Sequence, residues 1–277
     1  MSQPTKTPEQ QQKETEELLK LYDNQQQQIK QEVESDPLIS ETFPIAILEE
    51  EFAQAENFFV KVNSLGNFFG KKMLRKARKD GSCFYRAFIY RLCEILCMGE
   101  TYFKKFDLFE KIKKANTMLV EAGFEKLVFE DFEVYFVEFL KSIQCGDTNI
   151  LNLHQALSDK SLFDYYVMYL RFIISAYVRT SGPLFEMYFE SDHDLKAFCT
   201  REIEPIDAEA DQIQIISLFN VLEIPVRIFY IDNSSQPVPT VFSLPDLSDG
   251  SKENVLATQN DYLIQLLYRP GHYDILY

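Results

Sequence analysis

Residues 80–88 read DGSCFYRAF, a cysteine set between an Asp-Gly-Ser loop signal and an aromatic, arginine-containing run. From Phe84 onward the apolar positions Ala87, Phe88, Leu92, Ile95 and Leu96 recur at helical spacing, which predicts a helix starting at or beside Cys83. Asp80-Gly81-Ser82 is then its lead-in loop, where glycine permits a sharp turn and a close approach by another group. A thiol in this position has two readings. Cysteine is commonly a small buried hydrophobe. Equally, the unpaired amides of a helix's first turn favour a thiolate, and with the loop N–H groups they are placed to face a developing oxyanion.

Immediately upstream lies KKMLRKARK, Lys71–Lys79, with six basic residues and no acidic one. It reads either as a solvated strand or turn face, or as a positive field beside Cys83 that lowers the thiol pKa. Further helices are expected over Glu110–Ala122, Phe129–Ser142, Leu162–Thr180, with Ser158 and Asp159 as candidate caps, and Asp211–Leu222. At Pro225 the texture changes to the β-branched and aromatic PVRIFYID, then the turn-rich NSSQPVP, then DYLIQLLY, the turn RPG and HYDILY. Helices early and strands late predict an α+β domain whose final strands form an antiparallel hairpin.

A nucleophilic cysteine needs a base, and the chain holds three histidines. His154 and His193 stand in polar settings and read as exposed or capping residues. His272 differs, because Asp274 follows it by two positions. On an extended strand, residues i and i+2 share a face about 6.5–7 Å apart, so the carboxylate can reach the ring and fix its tautomer. Spacing alone leaves the pair a weak signal. The remaining thiols, Cys93, Cys97, Cys145 and Cys199, read as core or surface packing. No metal-ligand spacing, Walker motif, dinucleotide glycine pattern or G-x-S-x-G is present, so neither a metal nor a phosphate-binding cofactor is expected.

Composition narrows the partners. The chain has 277 residues, 46% of them hydrophobic, enough for a sizeable core. Its 28 Lys plus Arg against 43 Asp plus Glu give a net charge of -15, the wrong sign for binding phosphate backbones. Nucleic acid is therefore not an expected partner. The most apolar segment, Tyr165–Val178, carries Arg171 at its middle and is shorter than the roughly 20 residues a bilayer requires, so it reads as a core helix. No membrane association is expected. The N-terminal residues show no secretory pattern, and five thinly spread cysteines suit reduced thiols in the cytoplasm or nucleus.

Residues 1–36 form a compositional outlier with nine Gln and a net charge of -4. Leu18, Leu21 and Tyr22 recur at helical spacing, so this segment reads either as a mobile or marginal helix or as a docking helix that orders on a partner. The globular domain is expected from residue 37 to 277.

With both ends of the Cys83–His272 constellation in view, the sequence resembles the otubains, the branch of OTU (ovarian tumour) cysteine proteases that remove ubiquitin. The resemblance runs from about Asp36 to Tyr277 through RKARKDGSCFYRAF, FDYYVMYLRFIISAY, CTREIEPIDAEADQIQIISLFNVLEIPVRIFYID and LLYRPGHYDILY. It implies a papain-like OTU fold, a small mostly antiparallel sheet flanked by a larger helical region. By position it implies Cys83 as nucleophile, His272 as general base and acid, Asp274 as the carboxylate orienting His272, and Asp80 in the oxyanion loop. Ser82 stands where that family usually has Asn, and Lys79 where it usually has Pro. The implied substrates are ubiquitin and polyubiquitin, with a preference for the proteasome-targeting lysine linkage, and no cofactor. As an alternative, the resemblance implies that the N-terminal segment binds and inhibits a ubiquitin-conjugating enzyme without catalysis.

Overall fold

The computed structural model describes residues 8–182, 185, 194–245 and 264–277. His193 and the first residues of DYLIQLLY lie outside the described residues. The chain divides into two compact units, Met1–Pro37 and Leu38–Tyr277. Within the first, helix α1 (Pro8–Ser35) contains the glutamine runs and carries Leu18, Leu21 and Tyr22 as exposed apolar side chains.

In the second unit the helix after the DGS loop is α4 (Cys83–Leu96), preceded by α2 (Ala46–Glu51) and α3 (Glu56–Asn67). It is buried on nearly every face, which explains why its sequence is apolar beyond a single stripe. After α5 (Glu100–Phe106) come α6 (Leu108–Glu121), α7 (Lys126–Cys145), the short α8 (Leu153–Ala156) and α9 (Lys160–Thr180). Asp159 caps α9 by accepting from the Ser161 and Leu162 amides at 2.8 and 3.2 Å, as its position ahead of the periodic run predicts. The apolar Tyr165–Val178 segment is the body of α9, and no helix among the described residues is long and apolar enough to cross a membrane. Helix α10 (Leu195–Glu202) precedes α11 (Gln212–Leu222), which opens with a reciprocal capping box between Asp211 and Gln214.

Among the described residues six strands make one sheet: β1 (Ile39–Pro44), β2 (Met73–Ala77), β3 (Val226–Tyr230), β4 (Thr240–Leu244), β5 (Ile264–Arg269) and β6 (His272–Leu276). Their spatial order is β1-β2-β6-β5-β3-β4, antiparallel at every pairing except β3 with β5. The expected C-terminal hairpin is β5–β6, with Arg269 opposite His272 across the Pro270-Gly271 turn. Gly271 sits at φ 72°, which glycine supplies without steric cost. The basic run becomes β2 between β1 and β6, the strand reading of that stretch. Arg75 donates to the Ser40 carbonyl and approaches Glu94, while Lys76 pairs with Glu51.

Both sheet faces are covered. Ile228, Leu266, Tyr273 and Ile275 join the larger core built on α4 and α9, whereas Phe229, Leu267, Leu276 and Leu74 join a smaller one under α2 and α3. The alternation along β3, β5 and β6 is the two-residue period of a strand packed on both sides. Tyr273 of β6 packs on Phe84 at the amino end of α4, which brings the strand carrying His272 and Asp274 to that end of the helix.

Candidate active site

Cys83 is the first residue of α4 and only 4% exposed. The next residue anchors it: the Phe84 ring meets Tyr273 of β6 edge-on, with centroids 5.4 Å apart. The backbone N–H groups of Tyr273 and Phe84 both donate toward the Cys83 sulfur. Burial nevertheless pushes the thiol up to about 11, and the nearby carboxylates of Asp274 and Asp80 push the same way against those amides. This corrects the reading of Lys71–Lys79 as a field that lowers the thiol pKa. The charged groups that weigh most on Cys83 are the Asp274 and Asp80 carboxylates, which oppose the thiolate.

His272 opens β6, and its Nε2 lies 2.8 Å from Asp274 Oδ1. The two side chains share a strand face, and the i, i+2 spacing delivers the contact. An ionised carboxylate accepts only, so in the neutral ring the tautomer that fits has its proton on Nε2 and its lone pair on Nδ1. Nδ1 is buried and makes no hydrogen bond to a described residue. Asp274 is fully buried. Its other oxygen, Oδ2, accepts from Arg269 Nη2 at 2.7 Å, and Oδ1 also accepts from the Ala77 amide at 3.1 Å. Burial raises this carboxyl, but the His272 hydrogen bond, the Arg269 cation and the Ala77 amide outweigh it and hold the pKa below the ordinary aspartate value. Arg269 is held in turn by Glu51 of α2 at 2.5 Å. An ion chain thus runs from the back of the sheet to the imidazole.

The DGS loop is held by identifiable contacts. Asp80 Oδ1 accepts from the Ser82 amide at 3.1 Å, and Oδ2 accepts from Arg86 Nε and Nη2 at 3.2 and 2.7 Å. Arg86, one turn into α4 and buried, also reaches Asp164 of α9 at 2.9 Å. Asp80 therefore directs its carboxylate into the scaffold. Gly81 has φ 80°, and a Cβ at this position would lie 1.9 Å from the Asp207 carbonyl oxygen. Only glycine lets the loop back so closely onto the 203–208 segment. Ser82, fully buried, donates its hydroxyl to the Ile206 carbonyl.

Cys83 lies on a cavity of about 780 Å³ whose lining includes Glu209, Asp211, Tyr230, Tyr268, Gly271 and Tyr273. It is aromatic on the sheet side and acidic on the side of the 208–214 segment. His154 lies elsewhere in the fold, contacting Tyr90 Oη and Glu41 at 3.2 and 3.4 Å. Cys93 and Cys199 are buried, Cys97 is half-buried and Cys145 exposed, and all four are free thiols. Among the described residues no group of three or more His, Cys, Asp or Glu could hold a metal ion. Sequence reasoning does not single out Arg86 or Arg269. Each sits beside a residue that it does, but a guanidinium's partner is set by tertiary approach.

Residues 31–277 match the family described as Peptidase C65 Otubain. The chain is 33% identical over 255 residues to the human protein named ubiquitin thioesterase OTUB1, covering 91% of this chain and 88% of that protein. It is 34% identical over 266 residues to the Caenorhabditis briggsae ubiquitin thioesterase otubain-like, covering 95% and 88%. Among solved structures it is similar to an OTUB1 described as a complex with ubiquitin aldehyde and UBC13~Ub, with TM-score 0.79, 30% identity and coverage of 93% and 97%. A corresponding complex with UBCH5B~Ub matches at TM-score 0.79 and 29% identity, again covering 93% and 97%. With the cysteine, the histidine–aspartate pair and the glycine loop gathered at one end of α4, and a family match spanning the whole second unit, this chain belongs to the otubains, the C65 cysteine peptidases.

Proposed function

We propose that this protein is a deubiquitinating thiol isopeptidase in which Cys83, His272, Asp274 and the Asp80 loop carry the reaction. The observation behind the reading is the 2.8 Å His272–Asp274 pair, which leaves a buried Nδ1 with no hydrogen bond to a described residue, on a histidine whose neighbour Tyr273 donates its amide toward Cys83. Nδ1 takes the thiol proton as sulfur attacks the carbonyl carbon of ubiquitin's terminal glycine. Negative charge moving onto the carbonyl oxygen meets main-chain N–H groups at the loop-to-helix junction other than the Ser82 amide, which Asp80 holds. The imidazolium, stabilised by Asp274, then gives its proton to the departing lysine amine as the C–N bond breaks. Water, deprotonated by the same ring, attacks the thioester and frees ubiquitin and the thiol.

On this reading the buried thiol, pushed up to about 11, gives up its proton to His272 as it attacks. A ubiquitin bearing an electrophilic carboxyl terminus should label wild type and leave Cys83→Ala unlabelled; equal labelling of both would remove Cys83 from the reaction. The finer substrate is polyubiquitin of the proteasome-targeting lysine linkage, a preference that rests on the otubain resemblance. Cleavage of a panel of defined diubiquitins measures it, and uniform rates across linkages would overturn it.

A second role favours α1. Its Leu18, Leu21 and Tyr22 are exposed, and the similar OTUB1 structures are described with UBC13~Ub and UBCH5B~Ub. On this reading residues 1–36 dock a ubiquitin-conjugating enzyme and inhibit it independently of Cys83. Cys83→Ala should then still suppress chain synthesis, and deletion of residues 1–36 should abolish suppression. Unchanged suppression after the deletion would count against it.

A further inference from the structure

Arg171 is buried at 0% exposure in the middle of α9, and nothing in the reaction just described uses it. Its partners are main-chain carbonyls and one hydroxyl rather than a carboxylate. Nη1 donates to the Ile203 carbonyl at 2.9 Å. Nη2 faces the Gly81 carbonyl at 3.3 Å, Ser82 Oγ at 3.1 Å, the Ile206 carbonyl at 2.9 Å and the Ala208 carbonyl at 2.7 Å. The guanidinium carbon lies 4.2 Å from the Tyr85 ring centroid, so a cation–aromatic contact completes its surroundings. Two segments distant in sequence meet on this one group: the 80–82 loop that precedes Cys83 and the 203–208 segment that leads into the cavity wall at Ala208 and Glu209.

We propose that Arg171 is the positioning residue of the oxyanion loop: it draws the Gly81 and Ser82 oxygens inward and locks the loop against the 203–208 segment so that its amides face the substrate carbonyl. The idea rests on the thiol-isopeptidase reading and adds to it a group that touches neither substrate nor sulfur. The geometry explains why the residue is arginine. Acceptors spread from Ile203 to Gly81 need a planar group with several donors in fixed directions, whereas a lysine ammonium is a point charge on a flexible stem. Without the cation, oxygen atoms of five residues would converge with one hydroxyl hydrogen to share, and the loop would open to relieve their repulsion. Ser82 belongs to the same clamp, since its hydroxyl accepts from Arg171 while donating to Ile206. A serine at this position is thereby accommodated: its short side chain ends on the arginine and closes the gap to the opposite segment.

The test separates the oxyanion loop from the nucleophile. Alkylation by iodoacetamide is a substitution at saturated carbon and needs no oxyanion hole, but it does need an accessible, ionisable Cys83. For Arg171→Lys, kcat for a fluorogenic ubiquitin carboxyl-terminal amide should fall at least about tenfold. KM, and the alkylation rate of the Cys83-containing peptide read by mass spectrometry, should stay within about twofold. Parallel loss of alkylation would mean that Arg171 supports the cysteine's surroundings in general, and would overturn the proposal. So would an unchanged kcat, or a change confined to KM. If Arg171→Lys does not fold, Ser82→Ala decides the matter: the same split at smaller amplitude supports the clamp, and wild-type kinetics overturn it. Undiminished cleavage by Cys83→Ala would remove the isopeptidase reading and this proposal together. A fully active Arg171→Lys in a protein that Cys83→Ala inactivates removes only the proposal.

Discussion

Replacing Gly81 with alanine should damage stability and catalysis by separable amounts. The residue occupies φ 80°, where an L side chain costs roughly 1–2 kcal/mol in backbone energy. The new Cβ would also fall 1.9 Å from the Asp207 oxygen, 2.4 Å from its carbonyl carbon and 2.8 Å from its Cα, all backbone atoms. Ordinary contact begins at 3.4 Å, so the two segments must part by 3.4 − 1.9, about 1.5 Å. Overpacking of this kind adds roughly 1–3 kcal/mol. The total of about 2–5 kcal/mol corresponds to a fall in Tm of roughly 4–20 °C for a domain of this size. A shift of that size also withdraws a loop amide from the oxyanion, which costs on the order of 10²–10³ in kcat. Gly146 provides the control, with φ 85° and nothing within 4 Å of the place a methyl group would take, so Gly146→Ala should show only the backbone cost and full activity. Differential scanning fluorimetry and steady-state cleavage of a ubiquitin carboxyl-terminal fluorogenic substrate measure both quantities. If Gly81→Ala matched Gly146→Ala in both, the close approach to Asp207 would have no part in shaping the site.

Three further outcomes follow from the same geometry. Asp274→Asn preserves shape but removes the charge that stabilises the imidazolium, so kcat should drop on the order of 10³–10⁴ with KM little changed; near-normal turnover would exclude Asp274 from the reaction. Arg269→Met leaves a fully buried carboxylate without its cation, and urea denaturation at pH 7 should show a loss of roughly 3–5 kcal/mol, a loss below about 1 kcal/mol contradicting the ion-pair account. Because the folded Asp274 pKa is depressed, its stabilising contribution is present above the unfolded value near 3.9 and is lost as pH falls through the folded one, so the acid slope should be shallower in Arg269→Met. Cys83, raised from the ordinary thiol range to about 11, should be alkylated by iodoacetamide at a rate that climbs from pH 7 to pH 10 without levelling, and a plateau below pH 8 would show a thiolate already formed at rest. The folded protein keeps the proton between the unfolded thiol value near 8.5 and the folded value, so this stabilisation is present below the former and is lost as pH rises through the latter.

The long helices are legible because their signals are local. The period of Phe84–Leu96 and the Asp159 cap of α9 are written within a few residues of where they act. The C-terminal hairpin is legible for the same reason, through the Arg-Pro-Gly turn between two apolar runs. Strands β1 and β4 do not stand out in the sequence, and short helices such as α2 and α8 give too few residues for a period to emerge. The closing of β2 between β1 and β6 depends on pairing partners far away in the chain.

By itself, the sequence determined that a cysteine would stand at a helix start after a glycine loop, and that a histidine and an aspartate would share one face of the last strand. Family resemblance joined these two ends. Tertiary structure alone decided the state of the thiol, because desolvation depends on what packs around sulfur and not on the residues beside it in sequence. It also decided the roles of Arg269 and Arg171, one meeting Asp274 across a hairpin and the other gathering carbonyls from segments 35 and 90 residues away. Periodicity marks which side chains turn inward; only the folded chain shows which buried charges find partners, because hydrogen bonds in the interior are made by convergence in space.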